Sequence, residues 1–463
     1  MNTLEILPPV DEILNTAQCR SLCRQYGQMQ VKSAIRAELQ KLREQHVNAT
    51  SFHSRKDIIN HILNSLHSRL HFEFRIRLDR VINATGIILH TGLGRAPLSE
   101  SAQEQILNVI KGYSNIELDL ETGKRGDRTD HVRHLICKLT NAEDALVVNN
   151  NAAAVFLSLN TLAQGKKVLV SRGELVEIGG SFRIPDIMNK SGVIMQEVGT
   201  TNKTNLSDFA QALSENTGAI FVAHTSNYRI IGFTEHTPLY DLCQLAQEHS
   251  IPVIHDLGAG VLGDLTEFDL PYEPLVQDSL KAGADVVTFS GDKVLGGPQS
   301  GIIAGSRKSL EKIAENPLMR AVRCDKLVFA GLEATLKLFF AESFPENHKT
   351  MALLTASSEK IREKASYILS NLSSEVLDAY SVKLVKCSSQ MGSGALPTKT
   401  LPSWAVTLKS QSSADQLSRA LRKSKPPVLP YIQKGRVFLN MRTVQQTELD
   451  ILIHLLNQLS LRE

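Results

Sequence analysis

The sequence predicts an α/β protein with a mainly parallel sheet, preceded by a helical domain and followed by a small α+β domain. Short apolar runs alternate with amphipathic helical stretches between about residues 145 and 314, as in consecutive βαβ units. In the first 80 residues, apolar side chains instead recur near a period of 3.6. After about residue 345 the regular alternation is lost. We therefore expect domains at 1–65, 81–344 and 345–463, with a linker at 66–80.

The composition is that of an ordinary globular protein and argues against a membrane protein, a secreted disulfide-rich protein and a cysteine-based metal protein. Of the 463 residues, 42% are hydrophobic and 21% are charged. No apolar stretch approaches the roughly 18 residues that span a bilayer, and we expect no signal peptide. The six cysteines are scattered without a CxxC pair. We therefore expect a cytoplasmic protein with no membrane segment, no metal site and no disulfide framework.

The N-terminal segment is more basic than the rest of the chain. Residues 1–80 hold twelve Lys or Arg and eight Asp or Glu, a net charge of +4, whereas the whole chain carries +3. This excess indicates a polyanionic partner such as a nucleic acid, although a solvated helical surface would explain it equally well. Helices are expected at 13–26, 31–45 and 56–70, with a polar connection at 48–54.

A glycine-rich loop, VINATGIILHTGLGRAP, follows the helical segment and contains a candidate anion-binding residue. Glycines let a ligand approach the backbone closely. Arg95 comes directly after Gly94 and could bind an anion through two donors. A structural loop with a surface arginine is an equally good interpretation. Pro97 is expected to begin a helix that ends at Ile110.

The turn NNNAAA offers a phosphate site. A strand is predicted at 145–148, and Asn150, Asn151 and Ala152 open the helix that follows it. Free backbone N–H groups at a helix N-terminus bind phosphate well, although a plain asparagine cap would explain the same residues. The lysine and aspartate described next make a cofactor phosphate the natural ligand.

Two further predicted strands lead into an aspartate and a lysine. Residues 252–254 precede HDLGAG, which contains Asp256, and residues 286–289 precede SGDKVLGGPQSG, which contains Ser290 and Lys293. Open α/β sheets bind ligands at the carboxyl ends of their strands. A lysine can form a Schiff base with pyridoxal phosphate, whose ring nitrogen needs an acidic partner. We therefore assign Lys293 to the Schiff base and Asp256 to the ring nitrogen, with Ser290 as a further cofactor ligand. A surface lysine and a capping aspartate are the alternative for either residue taken singly.

Two arginines further along the chain are candidates for binding an oxyanion. The segment NPLMRAVRCDK places Arg320 and Arg323 three residues apart on a helix predicted over 320–340, where they would share a face. Together they could hold an anionic substrate. Surface ion pairs are the commoner role of such residues.

Four motifs in this order, NNNAAA, HTSNYRIIGF, HDLGAG and SGDKVLGGPQSG, resemble the fold-type I pyridoxal-phosphate enzymes. The closer similarity covers nearly the whole chain, includes TGLGRAP and RAVRCDK, and is to the bacterial L-seryl-tRNA(Sec) selenium transferase (selenocysteine synthase) family. This resemblance implies that Lys293 is the cofactor lysine and that Arg95, Arg320 and Arg323 bind selenophosphate. It also implies that the domain at 1–65 binds seryl-tRNA(Sec), and that the chain forms a ring-shaped homodecamer built from dimers.

The resemblance further implies the reaction, which is conversion of seryl-tRNA(Sec) to selenocysteinyl-tRNA(Sec). Lys293 would remove the seryl Cα proton, loss of the hydroxyl would give an aminoacrylyl-tRNA, and selenium from selenophosphate would add to it. Because the substrate is an ester, no arginine is needed for a free carboxylate, and we interpret Arg442 as structural.

Two other functions remain open on the sequence alone. One is a pyridoxal-phosphate lyase or aldolase of the same fold that acts on a small amino-sugar acid, although such relatives lack the helical N-terminal domain. The other is a non-catalytic tRNA-binding protein, against which an intact Lys293 and Asp256 argue.

Overall fold

The computed structural model describes residues 7–44, 54–178 and 182–459. By their internal contacts they divide into two units, Met1–Arg80 and Val81–Glu463. The first unit is helical and the second contains the sheets. The division at 344 that the sequence predicts falls in a connection inside the second unit, between helices that end at Leu338 and begin at Lys349.

Four described helices form the N-terminal unit: α1 (Val10–Leu14), α2 (Ala17–Tyr26), α3 (Gln28–Glu44) and α4 (Arg55–Phe74). Their apolar faces meet in one core, in which Ile35, Ile62 and Leu66 are fully buried, as the helical period predicts. Helix α4 continues through residue 66 to Phe74. The linker expected at 66–80 is therefore helical over more than half of its length. The connection expected at 48–54 lies outside the described residues except for Ser54, whose side chain caps α4.

A seven-stranded sheet forms the centre of the second unit, and its order is β1-β7-β6-β5-β4-β2-β3. Strand β7 is antiparallel to both of its neighbours, and every other pair is parallel. The mainly parallel sheet predicted from the sequence is therefore confirmed. The strands are β1 (Asp144–Val148), β2 (Lys167–Ser171), β3 (Ile194–Val198), β4 (Thr217–Ala223), β5 (Val253–Gly258), β6 (Val286–Ser290) and β7 (Gly301–Gly305).

Helices cover both faces of this sheet and create a separate apolar core on each face. Successive residues of β1 point to opposite faces, so Val147 lies in one core and Leu146 in the other. Helix α5 begins at Glu100, three residues later than predicted, because Ser99 caps it. The helices are α5 (Glu100–Ile110), α6 (Asp130–Thr140), α7 (Asn151–Ala163), α8 (Ile184–Lys190), α9 (Leu206–Ala212), α10 (Leu239–Glu248), α11 (Val276–Lys281), α12 (Arg307–Glu315) and α13 (Lys326–Leu338).

The remaining chain forms a four-stranded antiparallel sheet, ordered β8-β9-β11-β10, with its own core. The single helix expected over 350–372 is two helices, because Ser357 caps the start of the second. The elements are α14 (Lys349–Thr355), α15 (Ser358–Ser370), α16 (Ser374–Ala379), β8 (Lys383–Gly392), β9 (Ala395–Leu408), α17 (Ala414–Arg422), β10 (Tyr431–Gln433), β11 (Arg436–Asn440) and α18 (Leu449–Asn457).

Arg442 is buried between these elements, and its guanidinium donates only to main-chain oxygens among the described residues. Its Nη1 donates to the carbonyl oxygens of Leu353 at 2.7 Å and Leu354 at 3.2 Å, and its Nη2 donates to that of Pro402 at 2.7 Å. The first two carbonyls belong to the last turn of α14, where a helix lacks internal partners. The arginine thus has the structural role that we expected.

Candidate active site

Asp256 is buried inside β5, two residues before the strand ends, whereas the sequence predicted it just past the end. Its Oδ1 accepts hydrogen bonds from Asn151 Nδ2 at 2.7 Å, from the Gly258 amide at 3.1 Å and from the Thr288 hydroxyl at 3.2 Å. All of the hydrogen bonds to this carboxylate within the described residues thus end on one oxygen. Burial raises the pKa of Asp256, while the Asn151 hydrogen bond and the nearby Lys293 charge oppose that rise. Oδ2 is left to accept a donor from a ligand.

The turn between β1 and α7 brings Asn151 to Asp256. Asn150 is the N-cap of α7, and its Oδ1 accepts a hydrogen bond from the Ala153 amide at 2.9 Å. This bond satisfies the third backbone N–H group of α7. Within the described residues, the N–H groups of Asn151 and Ala152 remain free at the N-terminus of the helix, where they can bind an anion. The buried Asn151 Oδ1 also has no hydrogen-bond partner in the described structure.

Strand β7 passes directly beside this turn, and a glycine makes the close approach possible. A Cβ at Gly301 would overlap the Asn150 carbonyl oxygen. Gly301 pairs with Val148 of β1 on one side and with Ser290 of β6 on the other. The turn that holds Asn150 and the buried Ser290 therefore lie on either side of the same glycine.

Lys293 comes three residues after β6 and is buried, with 7% of its surface exposed. A Cβ at Gly258 would lie 3.6 Å from its Nζ, so the amine lies beside the strand that carries Asp256. Burial lowers the pKa of Lys293, Asp256 opposes that effect, and Arg95 adds to it. A lysine in such surroundings loses its proton more readily and can act as a nucleophile or base.

The loop around Lys293 is held by backbone contacts and by one histidine that the sequence analysis missed. The Val294 amide donates to Ala259 O at 3.3 Å, and His348 Nε2 lies 2.7 Å from Leu295 O. His348 is itself buried, with its Nδ1 accepting from the Met351 amide at 3.1 Å. No sequence pattern connects this histidine to the lysine, because 55 residues separate them.

Arg95 lies next to Lys293 through an ion pair with Asp292. Its Nη1 is 2.9 Å from one carboxylate oxygen of Asp292 and 3.1 Å from the other. A left-handed backbone at Gly94 and Arg95, with φ of 84° and 63°, turns the loop toward this partner. Asp292 was also missed, although it directly precedes the lysine in SGDK.

Arg320 and Arg323 do not share a helix face, so that part of the prediction is wrong. Arg320 ends a short 3-10 turn, and Arg323 lies in an extended segment that forms an isolated bridge with Val148. The next helix, α13, begins only at Lys326, because Asp325 caps it.

The two arginines nevertheless line one cavity of about 420 Å³. Glu117, Arg125 and Arg128 also line this cavity. Neither Arg95 nor Lys293 is among the described residues that line it. The Asn149 amide donates to Val322 O at 2.8 Å. The segment that carries the arginines is therefore attached to the turn that precedes Asn150.

His255 precedes Asp256 and points to the opposite face of β5. Its Nδ1 lies 3.0 Å from the Ser279 hydroxyl, and the ring borders a second cavity of about 570 Å³ at the ends of β2 and β4. Burial lowers the pKa of His255 to about 3, with a further contribution from His224. The imidazole is therefore neutral, and it supports β5 from the face opposite to Asp256.

The described residues contain neither a membrane-spanning helix nor a cluster of metal ligands. No helix there is both long enough and apolar enough to cross a membrane. No group of three or more His, Cys, Asp or Glu side chains in that part of the chain is arranged to hold a metal ion.

Comparison with known proteins gives matches along almost the whole chain. Residues 81–445 match the family described as L-seryl-tRNA selenium transferase, and residues 6–43 match the one described as selenocysteine synthase N terminal. The L-seryl-tRNA(Sec) selenium transferase of Carboxydothermus hydrogenoformans is 45% identical over 457 residues, which cover 98% of this chain and 97% of the relative. The enzyme of the same name from Pasteurella multocida is 41% identical over 463 residues, or 99% of this chain and 100% of the relative.

A solved structure of D-glucosaminate-6-phosphate ammonia-lyase is similar to this chain in fold. The TM-score is 0.56 at 16% sequence identity, and the likeness covers 83% of this chain and 96% of the other. At this identity the likeness concerns the fold alone, and it confirms the fold-type I architecture predicted from the motifs.

Proposed function

The chain belongs to the L-seryl-tRNA selenium transferase family, and we propose that it converts seryl-tRNA(Sec) to selenocysteinyl-tRNA(Sec) with pyridoxal phosphate as cofactor and selenophosphate as selenium donor. The observation that carries this proposal is the arrangement of Asp256, Asn151 and Lys293. A buried acid with one oxygen free, a helix N-terminus and a buried lysine meet at one edge of the sheet.

These residues fit pyridoxal phosphate. Lys293 would hold it covalently, Asp256 would face its ring nitrogen through Oδ2, and a set of small and amide residues would receive its phosphate. That set is Asn150, Asn151, Ala152 and Ser290. The lack of a Cβ at Gly258 leaves room beside Lys293 Nζ. When bound, the cofactor supplies an electron sink for the negative charge that develops at the seryl Cα.

The chain's own side chains account for the proton movement. Lys293 acts as the base that removes the Cα proton, since burial favours its neutral form. Asp256 would pair with the ring nitrogen through its carboxylate, whose charged form the Asn151 hydrogen bond and the Lys293 charge favour against burial. Asn151 and Thr288 fix its orientation. The seryl hydroxyl would leave as water with the proton that Lys293 took from Cα. Selenium would then bond to Cβ as water cleaves the selenium–phosphorus bond of selenophosphate and releases phosphate, and a proton would return to Cα.

We assign selenophosphate to Arg95, Arg320 and Arg323. Arg320 and Arg323 are supported by their common cavity and by its attachment to the turn before Asn150. Arg95 is supported by its place beside Lys293, although it must share its guanidinium with Asp292. Five donors on one guanidinium allow such sharing.

We assign tRNA binding to the helical unit Met1–Arg80. Its support is the net charge of +4 and the exposed arginines Arg75, Arg77 and Arg80 that follow α4. This unit also disfavours the small-molecule lyase or aldolase, which would have no use for a basic helical unit. A ring-shaped homodecamer in the cytoplasm is the assembly we propose.

A visible absorbance spectrum of the purified protein tests the proposal. We expect a yellow band from cofactor held on Lys293, and a shift of that band with seryl-tRNA(Sec) but not with free serine. Lys293→Ala should lack both the band and turnover while binding the tRNA as the wild type does, with Lys312→Ala, on the exposed face of α12, as a matched control. A band indifferent to the tRNA would support the small-molecule alternative, and turnover by Lys293→Ala near the wild-type rate would refute the lysine assignment.

A further inference from the structure

Glu117 lies among the arginines of the 420 Å³ cavity and contacts three of them. Its Oε2 is 2.7 Å from Arg125 Nη2, and its Oε1 is 2.7 Å from Arg128 Nε and 3.5 Å from Arg323 Nη1. The hydrogen bond from Arg128, with the charges of that residue and Arg125, lowers the pKa of Glu117. Glu117 is therefore a carboxylate anion held where the proposed function places selenophosphate.

The cavity has more positive than negative charge even with Glu117 in place. Four arginines line it, against the two carboxylates of Glu117 and Asp127. Arg320 is exposed and has no acidic partner among the described residues, and the contact of Arg323 is the longest of the three to Glu117. Arginine clusters that are left undercompensated in this way bind phosphate-like anions.

Glu117 belongs to a small hairpin that could let it withdraw. Leu118 and Arg125 form an isolated antiparallel bridge, and the turn between them closes with the Asp119 amide donating to Lys124 O at 2.9 Å. Leu118 and Leu120 on this hairpin are exposed. Arg125 is on the hairpin too, with 76% of its side chain exposed, and would move together with Glu117.

Arg128, in contrast, is fixed to the segment that carries the other arginines. Its Nη1 donates to Cys324 O at 2.7 Å, and only 21% of its side chain is exposed. Releasing Glu117 would leave Arg128 Nε without its acceptor, next to Arg323. An incoming anion would satisfy both.

We propose that Glu117 is an internal anion that holds Arg128 and Arg323 until selenophosphate displaces it, and that Arg128 is a further arginine of the donor site. This inference rests on the proposed function, which assigns Arg320 and Arg323 to selenophosphate. Glu117 then sets the affinity of the site for the donor, because each incoming anion must compete with a tethered carboxylate.

The test compares Glu117→Gln with the wild type, using the full-length holoenzyme so that the cofactor phosphate site is filled. Inorganic phosphate is the binding probe, measured by titration calorimetry at fixed ionic strength, and the KM for selenophosphate is measured at saturating seryl-tRNA(Sec). In Glu117→Gln we expect the Kd of phosphate and the KM for selenophosphate to fall about fivefold or more. Up to three partly exposed ion pairs then no longer compete with the incoming anion. The change should appear in KM more than in kcat, because Glu117 competes with the incoming donor for the arginines.

Three further variants complete the design. Glu117→Asp keeps the charge and should return the constants toward wild-type values, and Arg128→Gln should raise both. Glu197→Gln is the matched control, because it removes an acid 2.7 Å from Arg172 outside the cavity, and it should change neither constant.

The outcomes separate this inference from the function on which it rests. An unchanged or higher Kd for phosphate in Glu117→Gln would overturn the inference. A glutamate that only held the arginines in position would let them move apart when it is neutralised, and phosphate would then bind no better. Normal wild-type turnover together with that result would leave the proposed function standing. The expected fall in phosphate Kd, with no use of selenophosphate by the wild type, would instead uphold the anion site and refute the proposed donor.

Discussion

The side-chain amide of Asn151 donates a 2.7 Å hydrogen bond to Oδ1 of Asp256. This bond joins the first residue of α7 to the interior of β5, and the two residues are 105 positions apart in the chain. It holds the end of the site proposed for the cofactor phosphate and the end proposed for the ring nitrogen at a fixed separation. Because the hydrogen bonds to this carboxylate within the described residues all end on Oδ1, Oδ2 keeps its lone pairs for the proposed partner, the ring nitrogen.

Replacing Asn151 with alanine should therefore weaken cofactor binding. A hydrogen bond to a charged group contributes about 1.5–3 kcal/mol, so we expect the Kd of pyridoxal phosphate to rise roughly tenfold or more, as measured by absorbance titration of the apo protein. Asn160→Ala is the control, because it removes an amide hydrogen bond to Ser191 O elsewhere on α7. Equal effects of the two substitutions would show that Asn151 only stabilises the helix.

The strands of the site could be predicted from sequence because they are short apolar runs that end in polar residues. This pattern placed Asp256 and Lys293 at the same edge of the sheet, where the structure has them. The partners of Asp256 could not be predicted in this way. The contact with Thr288 depends on the register between β5 and β6, in which Asp256 pairs with Thr288. Parallel strands that are buried on both faces are continuous apolar runs, without the alternation from which a register could be predicted.

The arginines show a different limit of sequence reasoning. Residues 320–340 have an apolar pattern that suits one helix, but Asp325 accepts hydrogen bonds from the Leu327 and Val328 amides and starts the helix there. Arg323 instead extends the edge of β1 through its bridge to Val148. The helix thus begins at the capping residue, although the apolar period extends further toward the N-terminus. The two arginines line one cavity because of the tertiary structure and not because of helical spacing.

The Arg95–Asp292 pair should tune the proton affinity of Lys293 in opposite directions. Arg95 lowers the pKa of Lys293 and Asp292 raises it. Arg95→Gln should therefore raise that pKa and slow the uptake of cofactor by the apo protein at pH 8, because less of the amine is neutral. Asp292→Asn should lower the pKa and speed uptake at the same pH. The measurement is the rate of absorbance gain between pH 6.5 and 9.5, and shifts of the two profiles in one direction would contradict this account.

Removing the N-terminal unit should separate tRNA binding from cofactor binding. Because α4 runs to Phe74 and the unit ends at Arg80, the truncation should remove residues 1–80 and keep Val81. We expect the truncated protein to keep the visible band of bound cofactor and to lose affinity for seryl-tRNA(Sec) by at least about tenfold. In the full-length protein that affinity should fall with rising salt, since basic side chains release counterions from phosphates. Filter binding at two salt concentrations measures both effects, and an unchanged affinity would remove tRNA binding from this unit.

His255 should make the unit that contains the site lose stability in acid. Burial lowers the pKa of His255 to about 3 in the folded protein, whereas an unfolded histidine has a pKa of about 6.5. Between these values the unfolded chain binds a proton that the folded chain does not, so the contribution of His255 to stability falls as the pH falls below about 6.5. Buried Glu174, whose pKa burial raises to about 7, contributes in the opposite direction over the same range, so the effect of His255 is measured as the difference between variants. From pH 7.5 to pH 5 this one group should remove about 2 kcal/mol from the free energy of unfolding. The single tryptophan, Trp404, lies in the same unit and reports its unfolding in urea.

His255→Gln should flatten that acid dependence by about the same 2 kcal/mol, because glutamine can accept or donate toward Ser279 without titrating. His134→Gln, which replaces an exposed histidine of α6 in the same way, is the matched control for the substitution itself. Because His255 directly precedes Asp256 in β5, protonation of the histidine would also disturb the strand that carries the acid proposed to bind the cofactor. Loss of bound cofactor should accordingly begin at a higher pH than loss of the N-terminal helices, and the reverse order would place the acid-sensitive group elsewhere.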